Sequence, residues 1–232
     1  MEFTMYDNLL QLPLFQGLSK EDITRIIERV KLNFLTYKEG EIIVKQGEPC
    51  QQLAFLLGGE IVAETNDEEH HYTLSETFGQ PYVIEPYSLF GMQTFHTATY
   101  RAKQGTQLLC INKAFIFSHL CKYEIFRINY FNILSNLCQQ AHHKLWKNHE
   151  ATLEKKFASF LTKRCLRPYG EKNLRITMED LSNLTGETRI NVSRLLNDLQ
   201  KKGLVQLRRS ETYIPALEKL TAELLQPNRL QL

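Results

Sequence analysis

A chain of 232 residues is long enough to bury a full core, as one large domain or two modest ones. Its 43% hydrophobic and 23% charged residues exclude a disordered or fibrous chain, and no apolar run approaches a membrane span. The net charge of +2 hides a split: residues 1–150 hold 13 Lys+Arg and 17 Asp+Glu (net −4), and residues 151–232 hold 15 and 9 (net +6). An acidic body followed by a basic part points to segregated polyanion binding.

The N-terminal MEFTMYDNLLQLPLF lacks a basic stretch followed by an unbroken apolar one, so it does not read as a signal peptide. Cys50, Cys110, Cys121, Cys138 and Cys165 are odd in number and form no C-x-x-C pair. They read as reduced thiols in a cytoplasmic protein. A first helix is signalled by Ser19-Lys20-Glu21-Asp22, which resembles a capping box, followed by Ile23, Ile26, Ile27 and Val30 at helical spacing.

From about residue 31 to 112 the pattern shortens. EIIVKQ, QLAFLL, EIVAET, HHYTLS and QLLCI are separated by Gly40, Gly47-Glu48-Pro49, Gly58-Gly59, Asn66-Asp67 and Gly105. Short strands with turn residues at this spacing predict an antiparallel sandwich or barrel. Residues 122–150 contain no Gly or Pro. Phe131, Leu134, Cys138, Ala141 and Leu145 alternate by three and four, with Asn148 continuing the register. That seam predicts a long helix and a dimer interface. The charged stretch Lys144–Lys156 follows, and a domain boundary is expected near 150.

The last part reads as a helix over Leu153–Arg167, a turn at Pro168-Tyr169-Gly170, then helix, turn and helix. Thr177-Met178-Glu179-Asp180 reads as a cap, Leu181 and Leu184 as an apolar face, Gly186 as a tight turn, and Thr188 as the next cap. Lys201-Lys202-Gly203 suits a helix end. LVQLRR and TYIPAL are expected to form a two-stranded wing around Arg209-Ser210-Glu211. On the final helix Val192, Leu195, Leu196 and Leu199 share one face. Arg189, Ile190, Ser193, Arg194 and Asn197 share the other. A cation at a helix N-terminus opposes the macrodipole, so Arg189 calls for a reason outside helix stability. A recognition helix supplies one: an apolar face holds it in place while arginines reach guanine edges and capped N-termini meet phosphates.

These stretches resemble the cyclic-AMP receptor / fumarate-nitrate regulator (Crp/Fnr) family of bacterial transcription factors. YKEGEIIVKQGEP and LAFLLGGEIV resemble its β-roll turns, SLFGMQTFHTATYRA its ligand loop, and ITMEDLSNLTGETRINVSRLLNDLQKKGLV its helix-turn-helix. The resemblance implies an α+β architecture: a double-stranded, cyclic-nucleotide-binding-like β-roll over 1–121, a dimerisation helix and linker over 122–150, and a winged helix-turn-helix over 151–232. It implies a homodimer on two-fold double-stranded DNA, with RNA polymerase as a further partner and no membrane. Thr177 and Thr188 fall at phosphate-contacting positions and Arg189 and Arg194 at base-reading ones, with Asn191 and Ser193 beside them. Ile190 stands where catabolite activators carry a glutamate that accepts from cytosine; isoleucine can only meet a thymine methyl, so a different half-site is expected.

The ligand loop departs from the family pattern. Pro86 stands at the ribose-binding glutamate, Glu85 at the preceding glycine, His96 at the phosphate-binding arginine, and Thr97 at the adjacent serine. Ala141 and His142 fall at the adenine-facing positions. The candidate effector pocket is Glu85, Pro86, Ser88, Leu89, His96, Thr97, Ala141 and His142. Without the arginine fork, cyclic AMP is not expected to bind in the usual way unless Glu85 shifts by one position and His96 protonates. No cofactor is expected to be required, and the small-molecule effector stays open.

Other readings rank below this one. His142, His143 and His149 on one helix, and His70-His71 on an expected strand, would suit a haem or metal sensor, but the spacing fits no standard ligand set. An iron–sulfur cluster needs clustered cysteines, and none precedes Cys50. Tyr6, Tyr37, Tyr82, Tyr87 and Tyr100 read as β-roll core. No P-loop, G-x-S-x-G, H-E-x-x-H or G-x-G-x-x-G supports an enzyme. A nucleotide-binding module acting on a protein partner is the remaining alternative.

Overall fold

The structure is a computed structural model that describes residues 9–29, 31–146 and 152–225. Tyr6, Val30, Asn148, His149 and the boundary expected near 150 lie outside the described residues. Ser19 opens helix α1 (Lys20–Arg29) by accepting from the Asp22 N–H at 3.1 Å, as its sequence suggests. Ile23 and Ile26 then point inward over Leu9, Leu12, Leu14 and Phe15, all buried.

Eight strands follow: β1 (Asn33–Tyr37), β2 (Ile42–Val44), β3 (Gln52–Gly58), β4 (Glu60–Asp67), β5 (Tyr72–Gly79), β6 (Tyr82–Val83), β7 (Thr99–Ala102) and β8 (Thr106–Asn112). One sheet has the order β1-β8-β3-β6, antiparallel throughout. Pairing sets Leu53 opposite Ile111 and Phe55 opposite Leu109, and these four side chains pack in one core with α1. Ala54, Leu56, Leu108 and Cys110 alternate onto the other face and are buried too. A strand covered on both faces reads as an unbroken apolar run, which is why QLAFLL and QLLCI lack alternation. At the β3–β4 turn Gly59 has φ +86°, and a Cβ there would lie 2.4 Å from the Gly105 carbonyl oxygen. Only glycine fits that approach.

After the short helix α2 (Lys113–Ser118), α3 runs over Glu124–Trp146. Phe126 and Tyr130 anchor it, with Phe126 edge-on to Phe15 at 5.5 Å between ring centres. Of the expected seam, Leu134 is half-buried against this core, while Phe131, Cys138, Ala141 and Leu145 are exposed. Phe131 is 62% and Leu145 72% exposed in the single chain.

The chain divides into two compact units, Met1–Ala63 with Phe78–Ala141, and Glu64–Thr77 with His142–Leu232. The hairpin formed by the distal halves of β4 and β5 belongs with the C-terminal part. The reason is strand pairing: Thr73, Leu74, Ser75 and Glu76 of β5 lie opposite Arg175, Leu174, Asn173 and Lys172 of β9 (Lys172–Arg175). The sequence reading did not include β9. In this unit the strand order is β10-β11-β9-β5-β4, with β10 (Gln206–Arg208) and β11 (Glu211–Ile214) forming the wing. His70 and His71 lie in the hairpin turn rather than on a strand, and His70 bonds Asp67 at 3.0 Å.

Helix α4 spans Leu153–Arg164 and stops before Arg167, where the sequence placed its end. Pro168 disfavours helix at the preceding residue. The Glu76 carboxylate also takes the Leu166 and Arg167 N–H groups at 2.5 and 3.1 Å. The buried Lys172 ammonium meets the same carboxylate at 3.0 Å and donates to the Tyr169 carbonyl at 2.7 Å. Helices α5 (Met178–Thr185), α6 (Arg189–Lys201) and α7 (Leu217–Leu225) complete the unit. The strand expected over TYIPAL ends at Ile214; beyond it Leu217, Leu220 and Leu224 form a buried helical stripe.

Candidate nucleic-acid interface and effector pocket

The interface is built on two capped helices. Thr177 accepts from the Asp180 N–H at 3.1 Å and Thr188 from the Asn191 N–H at 3.2 Å. Between them Gly186 takes the left-handed conformation (φ 63°), and its N–H and that of Glu187 bond back to Asn183 and Ser182. Lys156 of α4 holds Glu187 by an ion pair at 2.9 Å, so the turn is tied to the helix beneath it. Val192, Leu196 and Leu199 of α6 are buried, and Leu195 is half-buried. That apolar stripe leaves Arg189, Ile190, Asn191, Arg194 and Asn197 exposed and Ser193 half-exposed. Ile190 is 69% exposed, an unusual place for a β-branched apolar side chain beside two arginines.

Arg189 pairs with Glu179 in the first turn of α5. Both side chains are over 60% exposed, and an ion pair in water is worth about 0–1 kcal/mol. As a cap acid alone, Glu179 gives no sequence signal of this pairing. The wing adds Arg208, at the end of β10, and Arg209, in the turn where Ser210 has φ 55°; both are exposed. Lys201 and Lys202 lie at the far end of α6, paired to Asp198 and Glu223.

In the β-roll unit six of the eight pocket residues come together. Glu85 sits in the left-handed region (φ 37°), just before the 3₁₀ turn Pro86–Ser88, and its side chain is fully buried. Its carboxylate accepts from the Thr97 N–H (2.9 Å), the Ala98 N–H (3.0 Å), the Thr97 hydroxyl (2.7 Å) and the Ser88 hydroxyl (3.0 Å). His96 Nδ1 lies 3.3 Å away. Leu89 is buried beside the turn, and Tyr130 donates to the Pro86 carbonyl at 2.5 Å. Burial pushes the Glu85 carboxyl up, but hydrogen bonds from His96, Thr97 and Ser88 outweigh it and hold it below the usual carboxylate range. Burial likewise lowers His96; hydrogen bonds with Cys50 and Glu85 overcome this and raise it to about 9.

The Glu85 and His96 side chains face each other. The backbone donors of Thr97 and Ala98 and the anchoring by Tyr130 left no sequence signal, since they depend on the fold. Ala141 and His142 are exposed on α3. Among the described residues no group of three His, Cys, Asp or Glu is placed to hold a metal ion. No described helix is long and apolar enough to cross a membrane.

Two family models match the chain. A cyclic nucleotide-binding domain covers residues 34–122, and a Crp-like helix-turn-helix domain covers residues 155–223. No curated protein sequence matches it. Among solved structures it is similar to the catabolite activator protein of Thermus thermophilus (19% identity, 91% of this chain and 97% of that one, TM-score 0.48). It is also similar to DNR from Pseudomonas aeruginosa (17%, 96% and 99%, TM-score 0.46) and to FixK2 from Bradyrhizobium japonicum (13%, 83% and 97%, TM-score 0.45). The two domain models, in this order along one chain, carry the assignment: the chain belongs to the Crp/Fnr family of DNA-binding transcription regulators, with a cyclic nucleotide-binding-type domain before its helix-turn-helix.

Proposed function

We propose that this regulator is a cytoplasmic homodimer that reads a two-fold operator through α6, and that cyclic AMP in its usual pose is not its effector. The single observation behind the reading is the solvent face of α6: a threonine cap, two arginines, two asparagines and an exposed isoleucine, opposite a packed apolar stripe. In this reading Thr177 and Thr188 position the helix on phosphates, and Arg189 and Arg194 read guanines. Asn191 and Ser193 add polar contacts, and Ile190 packs on a thymine methyl. The exposed residues of α3 supply the dimer seam. Two recognition helices related by a two-fold axis would meet half-sites about 34–36 Å apart. An effector, or its absence, would act by shifting how the two α3 helices pair and so the helix spacing. RNA polymerase is the further partner through which operator binding would change transcription, and no catalytic step is required of the chain.

The test is operator selection from a random-sequence pool, followed by binding at several salt concentrations. Arg194→Ala is expected to relax preference at one base position, at a cost of about 1–3 kcal/mol. Arg189→Ala is expected to do the same at a neighbouring position. Thr188→Ala should weaken binding evenly across sequences. Unchanged base preference in both arginine variants would sink the assignment.

A further inference from the structure

We propose that Glu85 is a built-in ligand: its carboxylate fills an oxyanion-binding hole in the β-roll, which would otherwise accept a phosphate-class anion. The hole is defined by donors, all aimed at one carboxylate. Two backbone N–H groups (Thr97, Ala98), two hydroxyls (Ser88, Thr97) and an imidazole (His96) converge within 2.7–3.3 Å. Consecutive backbone N–H groups with hydroxyl and cationic support form the standard concavity for a tetrahedral oxyanion.

Three further observations set this apart from an ordinary buried carboxylate. First, the segment that carries His96 into the hole is held by backbone bonds that do not involve Glu85. Gly47 donates to the His96 carbonyl at 2.8 Å, the His96 N–H bonds Glu48 at 2.9 Å, and the Cys50 N–H bonds Thr94 at 2.8 Å. Second, Glu85 reaches the hole from an unfavourable backbone. It is a non-glycine residue at φ 37°, ψ 60°, directly before a proline that favours extended geometry at that position. Such a conformation persists only where its surroundings over-determine it, and here the surroundings are the donors. Third, the acid is fully buried, and the groups that bond it are two backbone N–H groups, two hydroxyls and the His96 imidazole. A free anion entering the same hole would meet both occupied volume and like charge.

The inference concerns the β-roll alone and stands apart from the DNA-binding reading, so the experiment reads anion binding, not operator binding. The full chain and its Glu85→Gly variant are melted in sodium phosphate and in sodium chloride of matched ionic strength. Glycine suits the backbone and empties the hole. Wild type is expected to show no phosphate-specific shift. Glu85→Gly is expected to melt lower, and to regain stability saturably in phosphate but not in chloride. If the variant does not fold in chloride, its refolding yield in phosphate becomes the readout, with rescue expected. Adding Thr97→Val to Glu85→Gly should abolish the rescue, since it deletes one of the donors. Cyclic AMP in place of phosphate separates two sources: rescue by both admits a nucleotide phosphate, and rescue by phosphate alone admits a free oxyanion. Either supports the built-in ligand. No phosphate-specific rescue of Glu85→Gly, or a saturable phosphate shift in wild type that Thr97→Val removes, overturns it.

Discussion

The Glu76–Lys172 pair joins the hairpin to the winged helix within the second unit, and its geometry sets what breaking it costs. Both side chains are under 5% exposed, and the charges lie 3.0 Å apart. Breaking a buried pair by removing one partner costs about 3–5 kcal/mol. The two partners are not equivalent here. Without Glu76, the Lys172 ammonium keeps only the Tyr169 carbonyl, and the Leu166 and Arg167 N–H groups lose their acceptor. Without Lys172, the carboxylate still holds both N–H groups. Glu76→Leu should therefore sit near 5 kcal/mol and Lys172→Met near 3 kcal/mol on that scale. The double variant leaves no orphaned charge, so its loss should fall short of the sum by roughly 2–3 kcal/mol. For a unit of this size even the smaller loss lowers the melting temperature by at least about 12 °C. The assay is a double-mutant cycle by urea unfolding, with hydrogen exchange at the β9 amides as a local probe. Additive losses, or a Glu76→Leu penalty below about 1 kcal/mol, would refute the assignment of a coupled buried pair.

Two further expectations follow from the same geometry. Phe131→Glu alters a side chain that is 62% exposed in one chain, so helix content should persist while sedimentation shifts from dimer to monomer; a dimer that survives would move the interface off this seam. The first unit should also carry a pH signature from Glu85 and His96, faced by the Cys50 thiol and the buried Tyr100. Glu85 is lowered in the fold, so its contribution is present above the unfolded carboxylate value and lost as pH falls through the folded one. His96 is raised to about 9, so its contribution is full below about 6.5 and lost as pH rises toward 9. Thermal stability is expected to peak between about pH 5 and 6.5, and His96→Ala should flatten the alkaline limb; an unchanged limb in that variant would remove the histidine from the account.

The local signals in this chain were legible where the physics is local. Thr177, Thr188 and Gly186 cap and turn the helices as their types require, because caps and left-handed glycines are decided within a few residues. The apolar stripes of α1 and α6 followed from spacing alone. Long-range pairing was not legible. Strand β9 is KNLR, a polar stretch with no strand signature, and it exists because β11 and β5 pair with it on both sides. Helix α4 ends early because a carboxylate 90 residues away in sequence captures the Leu166 and Arg167 N–H groups just beyond its cap.

The same division runs through the functional residues. By itself the sequence determined that α6 presents arginines opposite an apolar stripe, since helical periodicity assigns faces without knowledge of the rest of the chain. It also determined that the ligand loop lacks the arginine of its family. Only the tertiary structure decided what fills the loop instead. Glu85 finds donors from residues 88, 96, 97 and 98, a set assembled by a turn, a loop and two backbone N–H groups. Hydrogen-bond direction and burial belong to the folded chain, and no spacing in the sequence encodes them.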